Sequence, residues 1–458
     1  MRRSDSANLD VSNTLAEYLA QLNEGSLPAP VISAERFFLL DWIGVVGSGI
    51  GTPGCAQLSD FVRTTYKQPG STVLFQRMTA PPPEAAMVNA AEAQAWELDD
   101  VYDEALVRPH SVVLAGTVAV AEHVGGVTPE RFLTASALGA DVLCRLARAI
   151  TSPLSWSRTT TLGSIAVAAA CGKVLGLDTV GLRNAMGLAF CQSAGTLQAS
   201  LEGKSAKRLQ AGFAARAGVT AALLAGMGVD GPRGFLEGKF GYYQQYERGA
   251  YEREKVLEGL GDRFFTTEVS VRMFPGAREA HPAYAAALRL AREVELSSSV
   301  KTVRVFLTPD AANVVANPLP EGRLSVPAAL TSVRYGVACI LVRGNLEIGS
   351  YSEPLLADEE ILELARGTAV SIIRDAEPGA IVPAKVEIEL RDGTTQCADV
   401  DEIEQGMRPE MEPRIVEKFL KNLQVSQAGV PANMATTIAG IALNLESAGL
   451  EKLISLLK

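Results

Sequence analysis

The sequence predicts a mainly α fold, a large all-helical domain joined to a smaller α+β domain, and two observations predict it. From Ser12 to Gly231 apolar residues recur at helical spacing and strand-like alternation is scarce. After residue 265 the pattern changes. In TEVSVRMF, VKTVRVFLT and PAKVEIELRDG, β-branched residues alternate with charged ones, the period of half-buried strands.

The elements follow in order. Ala34, Phe37 and Phe38, then Trp42, Val45 and Val46, mark one face of an early helix. The segments SIAVAAACGKVLGL and FAARAGVTAALLAGMGV are apolar on nearly every side, as helices in the middle of a bundle must be. HPAYAAALRLAREV and residues 326 to 341 read as helices between the strands. PRIVEKFLKNL and the segment ending in EKLISLL return to helical periodicity. The boundaries are therefore 1–266 for the all-helical domain, 267–401 for the α+β domain, and 402–458 for C-terminal helices packing back onto the first.

Composition excludes several function classes. With 47% hydrophobic and 21% charged residues the 458-residue chain is globular rather than disordered. Its net charge of −10 repels phosphate backbones and anionic lipid heads, which argues against nucleic acid and membranes as partners. The six cysteines are scattered, with no C-x-x-C, so neither a disulfide framework nor a zinc site is expected. A reducing, cytoplasmic setting fits. No apolar stretch follows Arg2 and Arg3, and none reaches the ~20 residues of a membrane span, so neither signal peptide nor anchor is expected.

Single motifs are ambiguous. Gly49-Ile-Gly51-Thr-Pro-Gly54 matches G-x-G-x-x-G, but the run before it is helical, and a helix end followed by a loop is the better reading. Asp99-Asp100-Val-Tyr-Asp103 resembles the magnesium-binding D-D-x-x-D of helical terpene synthases. A solvated acidic loop is preferred to a metal site, because aromatics are only 6% and no second metal motif follows. His123 reads as a helix-end residue favoured by the dipole. His110 and His281 lie beside prolines and arginines and are better candidates for a site. Lys204 and Lys207 with Arg208 form a basic cluster before an Ala-rich helix, suited to holding a carboxylate.

In order along the chain, LLDWIGVVGSG, ELDD, GADVLCRL, TTTLGSIAVAAACGKVLGLD, KRLQAGFAARAGVTAALLA, RMFPGAREAH and SVRYGVA resemble the MmgE/PrpD family. The resemblance runs from about Leu15 to the C-terminus. It implies a helical domain closed by its C-terminal helices and an α+β lid, commonly in a homodimer. It also implies proton movement beside a carboxylate of a small di- or tricarboxylate, without metal or organic cofactor.

Position by position, the resemblance gives Lys207 and Tyr335 as family lysine and tyrosine, and Asp99 with Asp100 as the acidic pair. Glu97 replaces an aspartate, Val101 a threonine, and Gln210 a histidine. Arg272 replaces a lysine. Arg108 and Ser157 stand at the two usual histidine positions, and His110 lies two residues beyond the first.

Arginine, with a pKa above ~12, anchors oxyanions and does not donate protons at neutral pH. More anchors and fewer acids favour an isomerase or epimerase of a small polycarboxylate or amino-dicarboxylate, with Lys207 or Tyr335 as proton carrier and Arg108, Arg158, Arg272 and Arg278 on carboxylates. Ser157, Thr159, Lys204 and His281 complete the expected binding set. The alternative is a lyase, a dehydratase or decarboxylase, with His110 or His281 recruited as acid and Asp99 in the catalytic set. A non-catalytic carboxylate-binding relative is the third reading.

Overall fold

The computed structural model describes residues 11–293, 300–377, 379–403 and 405–458. The chain forms two units. Met1–Ala95, Asp99–Val271 and Gln405–Lys458 make the first, and Trp96–Leu98 with Arg272–Glu404 the second. The short stretch Trp96–Leu98, which carries no local signal of leaving its neighbours, thus groups with the second unit.

The first unit is helical: α1 (Val11–Gln21), α2 (Ala29–Gly49), α3 (Cys55–Thr65), a hairpin of β1 (Ser71–Val73) and β2 (Met78–Ala80), and α4 (Pro82–Ala93). Then come α5 (Pro109–Val124), α6 (Pro129–Arg148), α7 (Arg158–Thr161), α8 (Gly163–Leu175), α9 (Thr179–Phe190), α10 (Gln198–Leu201) and α11 (Ala206–Gly226). Proline in the first turn starts α2, α4, α5 and α6, where its missing N–H costs no helical hydrogen bond. α2 ends at Gly49, so the glycine triplet after it is a helix end and turn.

α8 is buried from Gly163 to Gly172, as its all-round apolarity predicts. α11 differs. It buries one face, while Phe213 and Leu224 are exposed. Its small residues serve close packing on that one face. A Cβ on Gly218 would lie 2.6 Å from the Ser164 carbonyl of α8, so any larger residue would force the helices apart. No described helix is long and apolar enough to cross a membrane.

The C-terminal helices belong to this unit. Glu412–Gln424 packs on α2, where Lys418 Nζ lies 2.6 Å from Asp41 Oδ1, both nearly inaccessible. A buried charge without its partner costs several kcal/mol, so this pair makes the docking of that helix specific.

Glu92, on α4, is wholly buried. Its Oε1 accepts from Gln76 Nε2 at 2.7 Å and Ser59 Oγ at 3.3 Å, while Oε2 has no partner. Burial outweighs those hydrogen bonds and pushes its pKa up to about 8. A carboxyl that keeps its proton when folded favours the fold below its unfolded value of 4.5, and that advantage is lost as pH rises to about 8. Glu92→Gln, permanently neutral, should therefore raise the melting temperature at about pH 9 and change it little at about pH 5. Equal shifts at both pH values in a thermal-denaturation series would refute this.

The second unit holds one four-stranded sheet in the order β4-β3-β5-β6, made of β3 (Val300–Leu307), β4 (Ala369–Ile372), β5 (Ala384–Leu390) and β6 (Thr395–Val400). β3 runs parallel to β4 and antiparallel to β5, with Val303 opposite Ile388. Along β5, Ala384, Val386, Ile388 and Leu390 are buried in alternation, the period read from the sequence. The helix His281–Glu293 packs on β5 and β6. TEVSVRMF, expected as a strand, is not one. Phe265–Glu268 is a 3₁₀ turn, and only Ser270 makes an isolated bridge, to Val101. The helix expected over 326–341 is two, Val326–Leu330 and Val333–Arg343, because Ser332 caps the second through its hydroxyl.

Candidate functional site

In the first unit, three segments far apart in sequence are tied together. Arg108 is the N-cap of α5, and its backbone N–H donates to Thr159 Oγ1 at 3.3 Å. The Ser157 carbonyl starts α7 by accepting from Thr160 N and Thr161 N. Gly195 packs so closely on this segment that a Cβ there would lie 2.0 Å from Thr160 Oγ1 and 3.2 Å from Ser157. Beside it, Thr196 exchanges two hydrogen bonds with Gln210: Thr196 N donates to Oε1 at 2.6 Å, and Gln210 Nε2 donates to Thr196 O at 3.1 Å. The segments around Arg108, Ser157 and the first turns of α11 are thereby fixed on one another.

Arg108 is half-buried. Its Nη1 donates to Leu106 O at 2.6 Å, and no described carboxylate lies within ion-pairing distance of it. Leu106 holds φ +52°, a region that costs a branched L-residue energy, so the loop delivering Arg108 is strained. The guanidinium sits at a helix start, where the dipole also favours anions. Lys207 is half-buried in the first turn of α11, and Lys204 just before that helix is exposed. Arg208 instead turns inward, toward the Pro53 carbonyl at 3.4 Å.

Other expected members take different roles. The charge of Arg158 is met by buried Glu247, with Nε 3.6 Å from Oε1, and Nη2 donates to Ser152 O. A carboxylate anchor with its own buried counter-ion is a poor one, so Arg158 is reassigned to holding α7.

His110 is corrected more strongly. It is 1% exposed. Its Nδ1 lies 2.8 Å from Asp100 Oδ2, its Nε2 lies 3.1 Å from Glu35 Oε1, and its ring stacks on Phe38 at 3.9 Å. The Thr266 hydroxyl also donates to Glu35 at 2.6 Å. Burial alone would lower the pKa of His110; the charges and hydrogen bonds of Glu35 and Asp100 outweigh it and raise it to about 10. Both ring nitrogens are thus engaged by carboxylates inside the protein, an arrangement that positions Asp100.

The acidic run is likewise no solvated loop. Asp99 and Asp100 are buried, and Asp103 accepts from the Ser270 hydroxyl at 2.6 Å. Among the described residues no cluster of His, Cys, Asp and Glu fits a metal ion. Glu35 and Gln210 are the residues sequence reading missed as builders of the site. A signal existed for Glu35, which occupies the helical stripe Val31, Glu35, Phe38, Trp42 where only an internally paired acid is tolerated.

The second unit holds its own set. Arg272 is wholly buried, and its Nη1 donates to Gly276 O at 3.2 Å. Arg278 Nη1 lies 3.4 Å from His281 Nδ1, and His281 meets Phe274 edge to face. Tyr335 is buried with its hydroxyl donating to Ser350 O at 2.6 Å, and burial pushes its pKa well above the ordinary range. That proton is committed to a backbone carbonyl, so Tyr335 is corrected from proton carrier to structural anchor of the turn at Ser350.

Comparison with known proteins bears on both units. The MmgE/PrpD N-terminal domain matches residues 13–254 and the MmgE/PrpD C-terminal domain matches residues 274–440. The chain belongs to the MmgE/PrpD family. Cis-aconitate decarboxylase of Aspergillus terreus is 29% identical over 441 residues, covering 90% of this chain and 89% of that protein. The cis-aconitate decarboxylase-like protein oryM of Aspergillus oryzae is 27% identical, covering 98% and 97%. The Homo sapiens cis-aconitate decarboxylase is 26% identical, covering 84% and 82%. Within the MmgE/PrpD frame, the helical unit and the α+β unit are the two domains of a mainly α fold.

Proposed function

We propose that this MmgE/PrpD protein is a lyase that decarboxylates a small unsaturated polycarboxylate. Relatives named as cis-aconitate decarboxylases over nearly the whole chain support the reaction class. The observation that carries it to this site is Arg108, a cation without a carboxylate partner among the described residues, at the start of α5 and tied to α7 by its own backbone.

In cis-aconitate the carboxylate on the saturated carbon leaves as carbon dioxide. Its electron pair forms a new double bond, the old one shifts to the carbon beside another carboxylate, and one proton is added there. Arg108 would hold that second carboxylate and stabilise the negative charge spreading into it. Lys207, whose ammonium can give up a proton where a guanidinium does not, would supply the proton. The product is an unsaturated dicarboxylate carrying one solvent-derived hydrogen.

One observation favours the isomerase reading instead. The histidine nearest the α5 start is locked between Glu35 and Asp100, leaving lysine as the proton carrier there, which suits removal and return of one proton. Kinetics on cis-aconitate separate the roles. Lys207→Met should lower kcat by about 10²–10⁴ with little change in KM, whereas Arg108→Ala should raise KM about 10-fold or more for a lost charge-assisted bond and lower kcat as well, because the same guanidinium meets the charge that develops in the transition state. Full turnover by Lys207→Met would remove it from the mechanism.

A further inference from the structure

At the end of α8 remote from α7 lies a depression of about 470 Å³, whose polar lining is Asn23, Glu24, Arg131, Thr134 and Lys173. Gly163 and Lys173 are ten residues apart on one helix, so the depression sits about 15 Å along the axis from the α7 end. It is a different place from the Arg108–Lys207 site.

Two cations meet there without a counter-ion among the described residues. Arg131 Nε donates to Lys173 O at 3.3 Å, and its Nη2 lies over Gly176, where a Cβ would come within 2.7 Å of it. Gly176 ends α8 at φ +73°, a backbone conformation that favours glycine. Among the described residues no carboxylate pairs with Arg131 or Lys173, Glu24 included, although the protein carries a net charge of −10. Burial and the neighbouring Arg131 both hold the Lys173 pKa below its ordinary value, as like charges pressed together must.

The helix end does not account for both cations. A C-terminus carries roughly half a negative charge, which one cation more than balances. Thr134 adds an independent sign. It is 2% exposed, it lines the depression, and its Oγ1 has no hydrogen-bond partner, although buried hydroxyls are paired as a rule.

We propose that Arg131 and Lys173, beside the buried Thr134, form a binding site for a multiply charged oxyanion, a phosphate group or a dicarboxylate, separate from the site of chemistry. The guanidinium offers a planar fork for two oxygens and the ammonium a point charge.

The test uses the full chain with two probes, inorganic phosphate and succinate, against sodium chloride at matched ionic strength. The first readout is the acylation rate of Lys173 in the wild-type protein, followed by peptide mass spectrometry. One or both ions should slow it saturably while leaving Lys452, exposed and outside both sites, unaffected. Protection by phosphate alone identifies a phosphate site, by succinate alone a carboxylate site, and by both a general oxyanion site. The second readout is calorimetric affinity for the protecting ion, which Arg131→Gln should weaken about tenfold or more, the loss of one charge-assisted hydrogen bond. No protection of Lys173 by either ion, or affinity unchanged in Arg131→Gln, overturns the proposal.

Discussion

Arg145→Leu is expected to destabilise the protein by about 3–5 kcal/mol, the cost of breaking a buried ion pair from one side. Arg145 and Asp141 are both fully buried, one turn apart on α6, with Nε 2.6 Å from Oδ2. The guanidinium does more than neutralise Asp141. Nη1 donates to Glu258 O at 2.6 Å and Val256 O at 3.3 Å, Nη2 donates to Arg263 O, and the group lies 4.9 Å from the Phe265 ring centroid. Asp141 in turn accepts from Phe265 N at 2.8 Å and the Tyr18 hydroxyl at 3.0 Å. This pair therefore organises the connection over 256–265.

The double variant Asp141→Leu/Arg145→Leu should recover only part of the loss. It removes the orphaned charge, but the carbonyls of residues 256–263 still lack their donor. Urea denaturation of the two variants checks this, and full recovery in the double variant would show that the backbone contacts contribute nothing.

His110→Leu is expected to cost a similar amount, about 3–5 kcal/mol near neutral pH, because Glu35 and Asp100 then face an apolar side chain inside the protein. The pH dependence is the sharper signature. A histidine whose pKa rises from 6.5 to about 10 on folding stabilises fully below 6.5, and that contribution is lost as pH climbs toward 10. Wild-type stability should fall across that window. In His110→Leu this contribution vanishes, so stability should no longer fall across that window. Parallel stability–pH curves for the two proteins would contradict the buried imidazolium.

Much of this fold was legible because its helices are long and periodic. The α2 and α8 segments bury the residues their pattern marks, and β3 and β5 alternate as read. β4 and β6 escaped notice for a physical reason. In β6, Thr395, Cys397 and Asp399 are exposed along an edge strand, and β4 is four residues long, so neither carries an apolar stripe. TEVSVRMF alternates as a strand would, yet its backbone finds only one bridge partner, Val101, and pattern without a partner makes no sheet.

The site was legible as residue types and not as pairings. Arg108, Ser157, Thr159 and Lys207 stand out in the sequence, and the Arg108 to Thr159 bond joins two of their segments. The roles of His110, Arg158 and Tyr335 depended on Glu35, Glu247 and Ser350, residues distant along the chain or carrying no local signal. A sequence shows a charged group; only the fold shows whether its counter-charge is already beside it. For Arg108 none of the described carboxylates is, and this separates it from Arg158.

Carbon dioxide release from cis-aconitate by the full-length protein in deuterated buffer is the most direct test of the proposed chemistry. A lyase using Lys207 releases one equivalent of carbon dioxide per substrate consumed and yields a dicarboxylate with one solvent deuterium. Deuterium entering an intact carbon skeleton, with no carbon dioxide released, would contradict the lyase and establish proton exchange as the reaction of this site.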